Sequence, residues 1–235
     1  MKLTENLHIL EILEPNFFGT VLNHNVVFIE NAYKNGLVMV DTSLPGNMDL
    51  ISSFLKKIHY SINDIAYIIV SHYHPDHSGN VNAIKNISGA KVIAHENEEE
   101  ALNNYMIFKL KYRDVKSVLN TNKKEFYDTV RRINNIKLDP IKIDIKIGRE
   151  QNLGKLKIIN SHGHTRGHIS VLYNDILIAC DAINNTMHPM PPFRFFCYNY
   201  DEAVTSYHKL IRLKSRIIVP FHGEIFKRED VNNIY

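Results

Sequence analysis

Apolar residues are spaced along this chain in two rhythms, and the alternation between them divides it into elements. Short β-branched runs occupy residues 7–13, 21–29, 37–40, 65–70 and 91–94, and again 141–147, 156–159, 170–173, 176–179 and 217–219. Runs of that length predict strands. Elsewhere the apolar positions recur every three or four residues. Leu50, Ile51, Phe54, Leu55 and Ile58 predict a helix over 48–59, Val81, Ala83, Ile84 and Ile87 predict one from Asn80, and another is predicted over 201–213. Pro45-Gly46-Asn47 stops the first three strands, which read as an antiparallel meander. Residues 96–135 lose the strand rhythm and are rich in Glu, Lys, Asn and aromatic side chains. There Tyr105, Phe108, Tyr112 and Val115, then Phe126, Val130 and Ile133, predict two helices. Strands and helices, a helical insert at 96–135, then strands and a helix again make a quasi-repeat. It predicts one α/β (α+β) domain over 1–235, with two mixed sheets packed face to face and helices outside.

Composition narrows the class. With 235 residues, 44% of them hydrophobic, and no Pro/Gly/Ser-rich linker, one domain is the default. A formal charge of +3 calls for neither nucleic acid nor an anionic membrane. Cys180 and Cys197 are too few for a disulfide framework, and the first residues carry charges where a signal peptide would be apolar. No stretch reaches the apolar length that spans a bilayer. The expectation is a cytoplasmic protein with a small-molecule substrate and no membrane partner; a homodimer is left open.

Candidate chemistry is concentrated after the strand at 65–70, in His72-Tyr73-His74-Pro75-Asp76-His77. His72 and His74 lie two apart on an extended segment and can point the same way, while Asp76 and His77 follow on the turn and can face a second point nearby. One motif can feed two metals. Three strands of the second half also end in potential ligands: 156–159 leads into His162, His164 and His168, 176–179 into Cys180-Asp181, and 217–219 into Pro220-Phe221-His222-Gly223. Open α/β sheets place their chemistry at such strand ends.

These residues, together with Val40-Asp41-Thr42 and Gly163-His164-Thr165-Arg166-Gly167-His168, resemble the metallo-β-lactamase superfamily over nearly the whole chain. The resemblance implies a four-layer αββα sandwich with a dinuclear site at one edge. It assigns His72, His74 and His164 to one metal, Asp76, His77 and His222 to the other, and Asp181 as the bridge. Seven nitrogen and oxygen ligands without a thiolate suit two divalent ions that share a hydroxide; zinc is the expected metal, with iron or manganese compatible. Two such ions make hydroxide available near neutral pH, so the expected reaction is hydrolysis. Asp76 is also expected to orient the attacking hydroxide. Asp41 is read as orienting a ligand, Cys180 as core, and His162 and His168 as supporting residues. His8, His24, His59, His95 and His208 have no motif around them.

Within the superfamily the ligand set is similar to that of glyoxalase II, whereas true β-lactamases have Cys or Ser at the position of Asp181. The chain ends thirteen residues after His222, without room for the glutathione-binding C-terminal domain, and the Gly-Cys-Gly-Arg loop that often follows the bridging Asp is absent. The acyl-homoserine lactonases are similar in size, but Asn184 stands where they have Tyr. A thioester or lactone is the expected substrate. The alternatives are a ribonuclease of the RNase Z type, whose backbone grip would fall to basic residues between Lys109 and Arg132, and a mononuclear iron persulfide dioxygenase. Specificity is expected in the insert at 96–135 and the loop at 187–200. In that loop Phe193, Phe195, Phe196 and Tyr198 are expected to line an apolar pocket, with Arg194 or His188 meeting a negative or carbonyl group.

Overall fold

Val26 and Phe28 point to one side of their strand and Val27 and Ile29 to the other, and all four are fully buried. Such a strand is covered on both faces. The computed structural model describes residues 1–104 and 106–231. Its first sheet runs β1 (Leu7–Phe17), β2 (Thr20–Tyr33), β3 (Gly36–Val40), β4 (Ile65–Ile69), β5 (Lys91–His95) and β6 (Ile145–Ile147), antiparallel through β3 and parallel from there on. The second runs β7 (Gln151–Leu153), β8 (Leu156–Asn160), β9 (Ile169–Tyr173), β10 (Ile176–Cys180), β11 (Ile217–Pro220) and β12 (Phe226–Lys227), with only β10 and β11 parallel. Both sheets are mixed, as expected.

The layers follow from the alternation. Val27, Ile29, Val38 and Val40 of the first sheet meet Ile158, Val171, Ile178 and Val219 of the second in one cluster. The opposite face of the first sheet, with Val26, Phe28 and Met39, is covered by Ile51 and Leu55 of helix α1 (Met48–Lys57). A four-residue turn of helix, α2 (Pro75–Ser78), precedes α3 (Val81–Ser88), whose Val81 and Ile84 join the same cover. Each of these fully buried side chains contributes about 1.5–3 kcal/mol. Leu50 and Ile87, counted with the apolar faces of these helices, are instead about half exposed, at 50% and 52%.

The segment between β5 and β6 departs most from expectation. It opens with a short 3-10 turn and α4 (Glu99–Asn103), and continues to α5 (Tyr112–Lys116) and α6 (Lys123–Asn135). No single helix joins Phe108 to Val115, and Tyr105 lies outside the described residues. Phe108 is non-helical because Asn134 of α6 takes its backbone: Phe108 N–H donates to Asn134 Oδ1 (2.8 Å) and Asn134 Nδ2 donates to Phe108 O (3.0 Å). Asn122 and Glu125 form a capping box that starts α6. The strand expected over 141–147 is confined to β6, since Ile141 and Ile143 pack with the outer cluster. The very short β7 and β12 were not foreseen. On the far side, α7 (Tyr200–Ile211) covers the second sheet through Tyr207 and Leu210.

A satellite cluster sits at one end of the sandwich. Phe17, Phe18 and Leu22 at the tip of the β1–β2 hairpin pack with Val115 of α5, Phe126 of α6 and, from a later loop, Phe195 and Phe196. Phe18 N–H donates to Thr129 Oγ1 (3.0 Å), which pins α6 to the hairpin. No helix among the described residues is long and apolar enough to cross a membrane.

Candidate metal centre

Four strands of the two sheets end at one place. Beyond β4, the chain passes through Ser71 into His72 and His74, and Pro75 at the first position of α2 turns it so that Asp76 and His77 face back. From the second sheet, β8 leads to His164, β10 to Asp181 and β11 to His222. Glycine is required just after His222: Gly223 has φ +97°, and a Cβ there would lie 2.0 Å from the carbonyl carbon of Asn185. That close approach lets Asn185 N–H donate to His222 O (3.0 Å).

The seven side chains converge as two overlapping groups. Ligand atoms of His72, His74, His164 and Asp181 lie within 4.8 Å of one another, and so do those of His77, Asp181 and His222. Asp181 belongs to both. Its Oδ2 is 3.2 Å from His164 Nε2, while its Oδ1 is 3.3 Å from His77 Nε2 and 3.6 Å from His222 Nε2. Asp76 Oδ2 completes the second group at 3.1 Å from His222 Nε2 and 3.6 Å from His77 Nε2. In the first group, His164 Nε2 is 3.1 Å from His74 Nδ1.

Hydrogen bonds behind the rings fix which nitrogen faces inward. Ser71 donates to Asp41 from both N–H (2.8 Å) and O–H (2.7 Å), so its oxygen accepts from His72 Nδ1 (3.0 Å). His77 Nδ1 donates to Asp41 Oδ2 (2.8 Å), and His222 Nδ1 donates to the Asn23 carbonyl (2.8 Å). Each ring therefore turns Nε2 toward the centre. His72 Nε2 in the first group, and His77 Nε2 and Asp181 Oδ1 in the second, are buried with no hydrogen-bond partner, an expensive arrangement unless a cation meets each group. The donor set, all imidazole and carboxylate, fits divalent metal ions.

Proton affinities separate the two groups. Burial, reinforced by neighbouring histidines, holds the His72 and His74 pKa well below the ordinary value, so both rings are neutral and ready to ligate. Burial also opposes charge on His77 and His222, but Asp181 and Asp76, with Asp41 beside His77, outweigh it and raise both. The same histidines depress Asp181 and Asp76 against the effect of burial. Protons and a cation compete here for the same lone pairs.

Other sequence candidates take supporting places. His168 is fully buried and makes no ligand: its Nε2 accepts from Asp181 N–H (3.2 Å) and its Nδ1 donates to Ser161 Oγ (2.8 Å). His162 turns away to meet the His95 ring at 4.8 Å. Cys180 lies in the core between the sheets.

An apolar-walled cleft opens above the seven residues and includes His74, Asp76, His164, Asp181 and His222 in its floor. Phe17 and Leu22 of the hairpin, Phe108, Ile133 and Ile136 near α6, and Phe193 and Phe196 wall it. Of the six loop residues expected there, only these last two line it. A 3-10 turn over Arg194–Phe196 repeats every three residues and so puts Phe193 and Phe196 on one side. Phe195 packs on both of them, Arg194 lies over the Tyr200 ring, and His188 and Tyr198 are exposed outside the cleft.

Two polar residues here, Glu14 and His24, carry no signal in the sequence. Asn47 donates to Ser43 Oγ, Ser43 to His24 Nδ1 (2.9 Å), and His24 Nε2 to Glu14 (3.2 Å), whose other oxygen pairs with Arg132 at 2.6 Å. Glu14 and Arg132 line the cleft, and a His24 nitrogen lies within 4.8 Å of Asp76 and His222. Nothing flanking His24 or Glu14 in the chain marks them, and Arg132, read among the basic residues of the insert, meets Glu14 here.

A sequence profile described as the metallo-beta-lactamase superfamily matches residues 19–222. The chain belongs to that superfamily. It is similar to a probable metallo-hydrolase of Methanocaldococcus jannaschii, 28% identical over 197 residues that make up 82% of this chain and 74% of the other. A metallo-beta-lactamase fold-containing protein of Sulfurisphaera tokodaii is 27% identical over 79% of this chain and 68% of its own length. Among solved structures, a metallo-beta-lactamase family protein of Thermus thermophilus superposes with a TM-score of 0.70 at 18% identity, covering 99% of this chain and 80% of that one. These structural likenesses concern the fold.

Proposed function

We propose that this superfamily member is a dinuclear, zinc-dependent hydrolase of a carbonyl ester-type bond, a thioester or a lactone. The observation that carries this reading is the placement of Asp181, whose two oxygens face two separate histidine groups on the floor of an apolar cleft. His72, His74 and His164 would hold one ion, Asp76, His77 and His222 the other, with Asp181 between them. Two ions there would supply Lewis acidity and a water acidic enough to attack near neutral pH. Asp76, reaching the cleft, would orient that water. Asn184 lines the cleft and is held by Thr186, whose N–H (2.9 Å) and O–H (2.7 Å) both donate to its Oδ1, so its amide nitrogen would be the atom available to a substrate carbonyl oxygen.

The cleft walls favour an apolar acyl group over a polyanion. Of the basic residues a phosphodiester backbone would need, only Arg132 lines the cleft, and Glu14 neutralises it. A panel of acyl thioesters, lactones, phosphodiesters and persulfides tests this on metal-loaded protein. Phe196→Ala should raise KM for the acyl substrates by roughly tenfold or more, the burial of one aromatic ring, with kcat and metal content nearly unchanged. Faster turnover of phosphodiesters, or an unchanged KM, would refute the pocket's role.

A further inference from the structure

We propose that Glu98 is a positioning residue of the metal centre, whose carboxylate ties together the two loops that carry His74 and His164. Glu98 sits in Glu96-Asn97-Glu98-Glu99-Glu100, a stretch with the look of a solvated helix start. Its side chain is nevertheless only 1% exposed. Oε2 accepts from Tyr73 N–H (2.9 Å), between His72 and His74. Oε1 accepts from Thr165 O–H (2.7 Å), next to His164, and from Gly167 N–H (2.6 Å). The approach is close enough that a Cβ on Gly167 would fall 2.9 Å from Glu98 Cγ.

None of the three hydrogen-bond donors is a cation, and burial raises the Glu98 pKa against them, so the carboxyl group is placed here at a desolvation cost that packing would not require. What the arrangement gains is geometry. Tyr73 and Thr165 are far apart in sequence and lie in loops that follow strands of different sheets, yet the rings beside them must bring His74 Nδ1 and His164 Nε2 to 3.1 Å. The second group is held by other residues, His77 by Asp41 and His222 by Asn23. Glu98 touches the backbone beside His72, His74 and His164 and makes no contact with Asp76, His77 or His222, so its influence falls first on the group formed by His72, His74 and His164.

This inference rests on the dinuclear reading, and its test separates the two. Zinc titration of the metal-stripped full chain against a competing chelator resolves the dissociation constants, and His222→Ala identifies which belongs to the second group. Glu98→Gln keeps the size but cannot accept from all three donors. It should weaken the constant of the first group by about 10–100-fold and shift the other by less than about threefold. A merely structural role would weaken both alike. Equal weakening, or none, overturns the proposal. If Glu98→Gln does not fold, Thr165→Val removes one donor and should weaken the same constant by a smaller factor; two unchanged constants would again overturn it. A wild-type chain that binds a single ion refutes the dinuclear reading, and the proposal is then decided by whether Glu98→Gln weakens that ion. A chain that binds none overturns both.

Discussion

Asp181→Asn is expected to reduce zinc from two ions per chain to one or fewer, and to lower turnover by about a thousandfold or more. Each oxygen of Asp181 faces a different group, at 3.2 Å from His164 and 3.3 Å from His77. An amide supplies one acceptor, no charge, and an NH2 directed at an imidazole nitrogen, so one group loses its carboxylate whichever way the side chain turns. The backbone is not implicated: Asp181 N–H keeps its bond to His168, and the core beneath is unchanged. The measurement is elemental analysis beside thermal melting of the metal-stripped protein. A variant that keeps two ions and wild-type turnover would show that Asp181 is not shared.

Asp76→Asn is expected to behave differently, retaining both ions while kcat falls by about 10²–10³-fold. Asp76 contacts only the second group, and its side chain remains partly accessible from the cleft floor, so it can serve both an ion and a reacting water. Asparagine can still offer an oxygen to the ion. It cannot offer a second anionic acceptor to hold or take a proton. Steady-state kinetics alongside metal content decides the matter: metal loss in proportion to the fall in kcat would assign Asp76 a ligand role alone.

The parts of this molecule that were legible in the sequence are those in which one residue type carries its meaning alone. β-branched runs become strands because both faces of each sheet are buried, and the His-x-His-x-Asp-His motif stands at a strand end, where the loops leaving strands of both sheets come together. Residues whose meaning comes from a distant partner were not legible. Phe108 has helical spacing, but Asn134 pairs with its backbone from 26 positions away. Glu98 stands among charged neighbours, and only the tertiary fold brings Tyr73, Thr165 and Gly167 to it. His24 and Glu14 look like isolated polar residues of strands until the hairpin carries them beside Asp76 and Arg132. In the loop after Pro192 the aromatics were visible, but which of them reach the cleft is set by a 3-10 turn too short to leave a periodic signal.

The central claim is that two ions share Asp181, and anomalous-difference crystallography at the zinc edge on metal-loaded protein tests it most directly. The account predicts two peaks about 3.5–4 Å apart with Asp181 between them, one bounded by His72, His74 and His164 and the other by Asp76, His77 and His222. A single fully occupied peak, with His77 and His222 unligated, would contradict it.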